Sequence, residues 1–297
     1  MAQFLEQIIN GLVLGGIYAL IAVGYTMVYG IIQLINFAHG EIFMFGAYFA
    51  FLCVTTFGLS FWVALPLSMG MCALMGMLID FVAYRPLRNA PRLSALITAI
   101  GMSLVLQNLA RLIWGARWRK FPVEATPTVL TGNAIPLPGG AQVSFLDVFI
   151  ILLAVGLMIG LNRLIHLTKI GKAMRACAQD RAAASLMGID TNRVITVTFA
   201  IGSALGAVAG VMVGLREVTE PTMGYYKGVA AFAAAVLGGI GNVTGAMLGG
   251  VVLGVAEALG AGYISSEYRL AIAYIIMILV IIFRPSGLLG KSTATRA

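Results

Sequence analysis

Uninterrupted apolar runs, each about one bilayer in length, recur along this 297-residue chain and exclude most of the structures it could adopt. Inside hydrocarbon every backbone N–H and C=O must find a partner within the protein, which leaves helices and closed barrels. The runs are too long for barrel strands of about ten alternating residues, so they read as helices. Residues 8–29, 61–82, 93–114, 148–166, 194–215 and 270–283 are the clearest. With 60% hydrophobic and 10% charged residues, against about 25% charged in soluble domains, water is the wrong solvent for this surface. The expected fold is an all-α polytopic membrane protein, one domain over 1–297, with about eight to ten spans of ~20 residues.

Charge sets the orientation. The net charge of +8 does not point to nucleic acid, because the basic residues flank spans, as cytoplasmic loops do. Three Lys or Arg in 84–92, six in 163–193 and three beyond 283 make twelve of the nineteen, and these segments are expected in the cytoplasm. The polar stretch 115–147, with four prolines, is then external. No Lys or Arg precedes Arg85, so there is no basic start of a signal peptide and the first run is expected to be a retained span. The side on which that end lies stays open. Cys53, Cys72 and Cys177 lack the spacing of a disulfide framework or a zinc site, and no metal site is expected.

Three features break the apolar pattern. Asn36, His39 and Glu41 fall between residues 30 and 52; they form either an interfacial turn or a polar group facing a bundle interior, where such residues mark a pathway. Glu257 is a further intramembrane candidate. Glycine recurs at every fourth position as Gly202, Gly206, Gly210 and Gly214, and again around Gly238, Gly239, Gly241 and Gly245, which permits close helix approach. The apolar run 229–237 is too short to span alone and reads either as a short helix extended at both ends or as a broken one lining a cavity.

The third feature is a basic island over 167–193, KIGKAMRACAQDRAAASLMGIDTNR from Lys169 onward, with helix-forming composition throughout. Lys172, Arg175 and Gln179 recur on one helical face. Asp180 is placed to cap a second short helix beginning at Arg181, and Gly188 to end it.

Catalytic chemistry is not expected. SGLLGKST (286–293) fails the phosphate-loop pattern because Pro285 stands where the first glycine is required. The chain has two His and no nucleophile elbow. A transporter without its own ATP site is either ion-coupled or driven by a separate ATPase.

The island resembles the coupling loop of ATP-binding-cassette importer permeases, E-A-A-x-x-x-G, through Ala182, Ala183, Ala184 and Gly188, although Ala replaces the acidic residue. LINFAHGEIFMFGAY (34–48), YRPLRNAP (84–91), GKAMRACAQDRAAASLMGID (171–190) and FAAAVLGGIGNVTGAMLGG (232–250) resemble the branched-chain amino acid importer permease family, LivH type. That resemblance implies a bacterial inner-membrane permease paired with a homologous second permease. It also implies two cytoplasmic ATPases that use ATP and magnesium, and a periplasmic binding protein delivering Leu, Ile or Val. In this reading Lys172, Arg175, Asp180, Arg181, Ala182–Ala184 and Gly188 couple to the ATPase, and Asn36, His39, Glu41 and Glu257 border the substrate path. The alternatives are a permease for urea, short amides or other amino acids, and a stand-alone ion-coupled transporter or channel with Glu41, Asp80 and Glu257 as ion ligands.

Overall fold

The computed structural model describes residues 2–88, 90–122, 126–131, 134–136 and 142–290. The chain is helical almost throughout: α1 Ala2–Ile32, α2 His39–Thr55, α3 Phe61–Ile79, α4 Arg92–Trp114, a short α5 Thr128–Thr131, α6 Phe145–Leu167, α7 Lys169–Gln179, α8 Arg181–Leu186, α9 Thr191–Arg216, α10 Met223–Gly238, α11 Val243–Tyr263 and α12 Arg269–Phe283. Among the described residues seven helical segments are long and apolar enough to cross a membrane, and α2 is a shorter apolar helix. A two-stranded antiparallel hairpin, β1 Ala134–Pro136 and β2 Gln142–Ser144, lies within the 115–147 segment.

Helices α1, α2, α9, α10 and α11 form the interior, and close approach of their backbones is the reason for their glycines. A Cβ on Gly11 would stand 2.6 Å from the Val255 α-carbon, and one on Gly15 2.7 Å from that of Val251. Helices α1 and α11 therefore touch backbone to backbone. Helices α3, α4, α6 and α12 form the wall and present large apolar side chains outward, among them Trp62, Leu78, Leu104, Leu112, Leu152 and Ile282. An exposed apolar face of this kind is solvated by lipid.

The side of the N-terminus, open from sequence, follows from its contacts. Glu6 accepts from the Gln142 backbone N–H at 3.4 Å, and Arg216 donates to the Asn10 side chain at 2.5 Å. Arg216 also pairs with Asp147 at 3.2 Å. The start of α1 thus shares an end with the 115–147 segment, opposite the basic island. The N-terminus therefore lies at the end of the bundle opposite the island. The C-terminal residues return to the island's end of the bundle, where Leu288 and Leu289 donate backbone hydrogen bonds to Leu237 and Gly238 and strap the α10–α11 turn.

Two helices begin at mid-depth. A Cβ on Gly206 would stand 3.5 Å from the His39 ring, and one on Gly202 3.3 Å from the Gly24 α-carbon. Gly206 is fifteen residues into α9, about 22 Å from its inner end at 1.5 Å per residue, so the first turn of α2 starts near the middle of the bundle. The chain reaches it through the non-helical residues 33–38, where Gln33 takes a left-handed φ of 54°. This segment rises from the inner end of the bundle, where Ile35 lies beside Ile240 and Asn36 meets Tyr84, to the start of α2, which α1 and α9 receive in a glycine-lined groove. Residues 217–222 are likewise non-helical between α9 and α10, and α10 starts against α2 at Gly224 and Gly228, whose Cβ positions would fall on Gly40. The short run 229–237 is thereby resolved as a helix extended at both ends, beginning inside the bundle.

Candidate functional site: the mid-depth break and the inner helical pair

Where α2 and α10 meet, their N-termini overlap and run in opposite directions, α2 outward and α10 inward. Each helix start carries unpaired N–H groups and a partial positive charge. Glu41, in the first turn of α2, supplies the compensating carboxylate. Its Oε1 accepts from Ser103 Oγ and from Gln107 Nε2 on α4, both at 2.9 Å. Its Oε2 faces Gly224, whose missing side chain makes the room. Ser103 and Gln107 were not expected from sequence; the only sign of them is two polar residues four apart on an apolar helix, one helical turn of a shared face.

Asn36 lies within the same break, and His39 opens α2 directly after it. Asn36 Oδ1 accepts from the Tyr84 hydroxyl at 2.9 Å. His39 packs edge-on against Tyr25 at 5.1 Å between ring centroids. Asn36 Nδ2, His39 Nε2 and Glu41 Oε2 are buried with no hydrogen-bond partner, an arrangement rare in protein interiors. The three lie within six residues of chain but face different neighbours, Asn36 towards Tyr84, His39 towards Gly24 and Gly206, and Glu41 towards α4 and Gly224, while Glu257 lies apart on α11, against Tyr18 of α1. All four are enclosed, at 1%, 1%, 1% and 3% exposure, so in this conformation the bundle is closed around them. Two cavities lie towards the ends. The outer one, about 230 Å³, is bordered by Trp118, Glu217, Met223 and Lys227; the inner one, about 90 Å³, by Thr26, Ile165, Arg175 and Thr198.

The glycine rows serve this packing. Gly202 faces Gly24, Gly206 faces His39, Gly210 faces the Phe43 carbonyl and Gly214 faces Thr219. Gly238 and Gly245 face each other across the α10–α11 turn, where Gly239 and Gly241 have φ of 104° and 94°, angles that only glycine adopts freely.

The basic island forms two helices, as its spacing predicts. Thr168 caps α7 by accepting from the Gly171 N–H at 3.1 Å. Asp180 ends α7 and caps α8, accepting from the N–H groups of Ala182 and Ala183 at 2.8 and 3.0 Å. Gly188 ends the unit with φ of 81°. Gly171, Met174 and Cys177 face the bundle, and burial pushes the Cys177 thiol up in pKa, offset in part by Arg181. Lys172, Ala182 and Ala183 are exposed, whereas Ala184 is buried. Arg175 does not extend away from the bundle with Lys172; its Nη1 reaches back to the Ile165 carbonyl at 3.0 Å and His166 Nδ1 at 2.9 Å, bracing α7 against α6. The tip of the unit is apolar, with Leu186 89% and Met187 82% exposed. Neither was singled out from sequence, since a Leu-Met pair after an alanine run reads as core.

A family model described as "Branched-chain amino acid transport system / permease component" matches residues 7–281. The chain belongs to this permease family. Two relatives are especially similar to it over nearly their whole length. The high-affinity branched-chain amino acid transport system permease protein BraD of Pseudomonas aeruginosa is 44% identical, covering 97% of this chain and 96% of the relative. LivH of Escherichia coli is 43% identical with the same coverage. The Escherichia coli permease LivM is 26% identical over 92% of this chain and 68% of its own length. Among solved structures, PsaBC from Streptococcus pneumoniae in complex with Fab has a TM-score of 0.49 at 13% identity, covering 95% of this chain and 92% of that one. This member of the permease family is a multi-pass membrane protein with a mid-depth break, a buried polar cluster and an inner helical pair.

Proposed function

We propose that this chain is a permease subunit of an ATP-binding-cassette importer that takes up branched-chain amino acids across a bacterial inner membrane. The full-length identity of 44% to a permease of that transport class carries the reading. Its partners in this proposal are a second, LivM-like permease, two cytoplasmic ATPases that bind ATP and magnesium, and a periplasmic binding protein that delivers the substrate.

The inner helical pair supports this reading in physical terms. An exposed Leu186–Met187 tip on a doubly capped, braced unit offers a cytoplasmic partner a hydrophobic knob on a rigid mount. Apolar anchors in a partner's pocket carry most of an interface's energy, and a rigid mount transmits displacement rather than absorbing it. Lys172 on α7 and Arg181, Ala182 and Ala183 in the first turn of α8 add to the surface of the same unit. At the other end of the stroke, Asn36, His39 and Glu41 meet the substrate when α2 and α10 part. Their unpartnered polar atoms then face an aliphatic zwitterion within an otherwise apolar passage.

The test is the reconstituted complex with its two ATPases, second permease and binding protein. Leu186→Asp is expected to prevent co-purification of the ATPase subunits while leaving the permease folded in the membrane. His39→Ala and Asn36→Ala should change the concentration dependence of leucine uptake with the complex intact. Leucine transport by the lone chain in vesicles, without ATPases, would overturn the reading.

A further inference from the structure

Helix α3 does not end as an ordinary helix. At Asp80–Tyr84 it widens into a single π-turn, followed by a 3₁₀ turn over Arg85–Leu87. Such turns insert a residue into the helical ladder and re-aim the side chains around them, often at functional positions. Here the π-turn sends two side chains in useful directions. Asp80 points to α9, and Tyr84 points to Asn36 at the mid-depth break.

Asp80 is held firmly. Arg88 Nη2 donates to both of its carboxylate oxygens, at 2.6 and 2.8 Å, and Thr196 Oγ1 donates to Oδ2 at 2.7 Å. Arg88 Nη1 also bonds the Asn192 side chain. The carboxylate is 1% exposed and the Arg88 side chain 9%. A two-pronged, shielded pair of this kind fixes geometry as well as contributing energy. Asn192 and Thr196 lie in the first two turns of α9, immediately after the island and its α8 tip. The engaged carboxylate leaves little for the ion-ligand role considered from sequence.

We infer that the Asp80–Arg88 clasp hands motion of the inner helical pair to the mid-depth break. Asp80, Arg88, Asn192 and Thr196 are positioning residues for transport, and the inference rests on the importer reading above. Displacing α8 carries the start of α9 with it. The clasp makes the inner end of α3 follow, and the same five-residue π-turn then pulls on Asn36 through the Tyr84 hydroxyl. No other polar tie among the described residues joins the first turns of α9 to the inner end of α3. Packing such as Gly76 against Ser203 and Phe199 joins α9 to α3 farther along, but without the clasp the first turns of α9 move without a polar tie to the π-turn, and part of the energy of ATP hydrolysis is dissipated before it reaches the break.

The readout is the number of ATP molecules hydrolysed per leucine imported by the reconstituted complex. Asn192→Ala combined with Thr196→Val removes the α9 half of the clasp while sparing the buried charge pair. It is expected to raise that ratio about fivefold, the size of effect that loss of roughly 1 kcal/mol of hydrogen bonding gives. Subunit assembly should be unchanged. Asp80→Asn should raise the ratio further. If Asp80→Asn fails to accumulate, the double α9 variant alone decides. An unchanged ratio in that variant, in a complex whose wild type couples hydrolysis to uptake, overturns the clasp. A wild-type complex with no substrate-stimulated hydrolysis overturns the importer reading itself.

Discussion

Gly210 and Gly206 stand one turn apart on the same face of α9 and do different work. A methyl group at Gly210 would overlap the Phe43 carbonyl, whereas one at Gly206 would make ordinary contact, 3.5 Å from the His39 ring. Overpacking a tight backbone contact costs ~2 kcal/mol, and glycine within a helix is itself about 1 kcal/mol worse than alanine. Gly210→Ala should therefore lower the thermal unfolding midpoint of the purified protein in detergent, and Gly206→Ala should leave it unchanged or raise it. Equal loss in both variants would mean that the row acts as a whole rather than through Phe43. Sequence alone gives the row but not this ranking, because the ranking belongs to what lies opposite. The same limit applied to Glu41. Its burial was foreseeable, but its partners Ser103 and Gln107 lie more than sixty positions away.

Elements whose geometry is set by near neighbours were legible. Asp180 caps α8 through the N–H groups two and three residues on, and Gly188 ends it with a positive φ, both local matters. Arg175 keeps the exposed helical face read from sequence, while its guanidinium bonds back to α6, a contact no local pattern records. Replacing Asp180 by Ala removes a cap of about 1 kcal/mol, a large share for a helix of six residues. Asp180→Ala is expected to fray α8 and make amide hydrogens at 182–186 exchange faster in the detergent-solubilised protein, with those of α9 unaffected. Unchanged exchange would mean that packing of Ala184, rather than the cap, holds the turn. The start of α2 was legible only as a choice between two depths. Depth is decided by the groove that α1 and α9 provide, which no local pattern records.

At the scale of the molecule the span-forming helices were readable from hydropathy, and the N-terminal side was not readable from charge, because its first loops carry no basic residue. The contacts of Glu6 and Asn10 settle which end of the bundle it occupies. A cysteine scan tests the orientation against a quiet background, since Cys53, Cys72 and Cys177 are all buried. Gln3→Cys and Trp118→Cys should react with a membrane-impermeant thiol reagent applied from outside, and Met187→Cys only after the membrane is opened. Labelling of Gln3→Cys from the inside alone would invert the whole arrangement. The two helix starts that meet at mid-depth bear on biosynthesis. Gly40 and Gly224 lie far apart in the chain, yet the Gly224 carbonyl fills the space left at Gly40, and Glu41 Oε2 with the Gly40 carbonyl fills that left at Gly224. A ribosome delivers the first of them long before the second exists. Asn36 and Glu41 can meet Tyr84, Ser103 and Gln107 early, but the face of residues 39–41 that α10 covers must wait. Only when α10 emerges can the early part of the chain settle at its final depth, so the last third of the sequence completes the folding of the first.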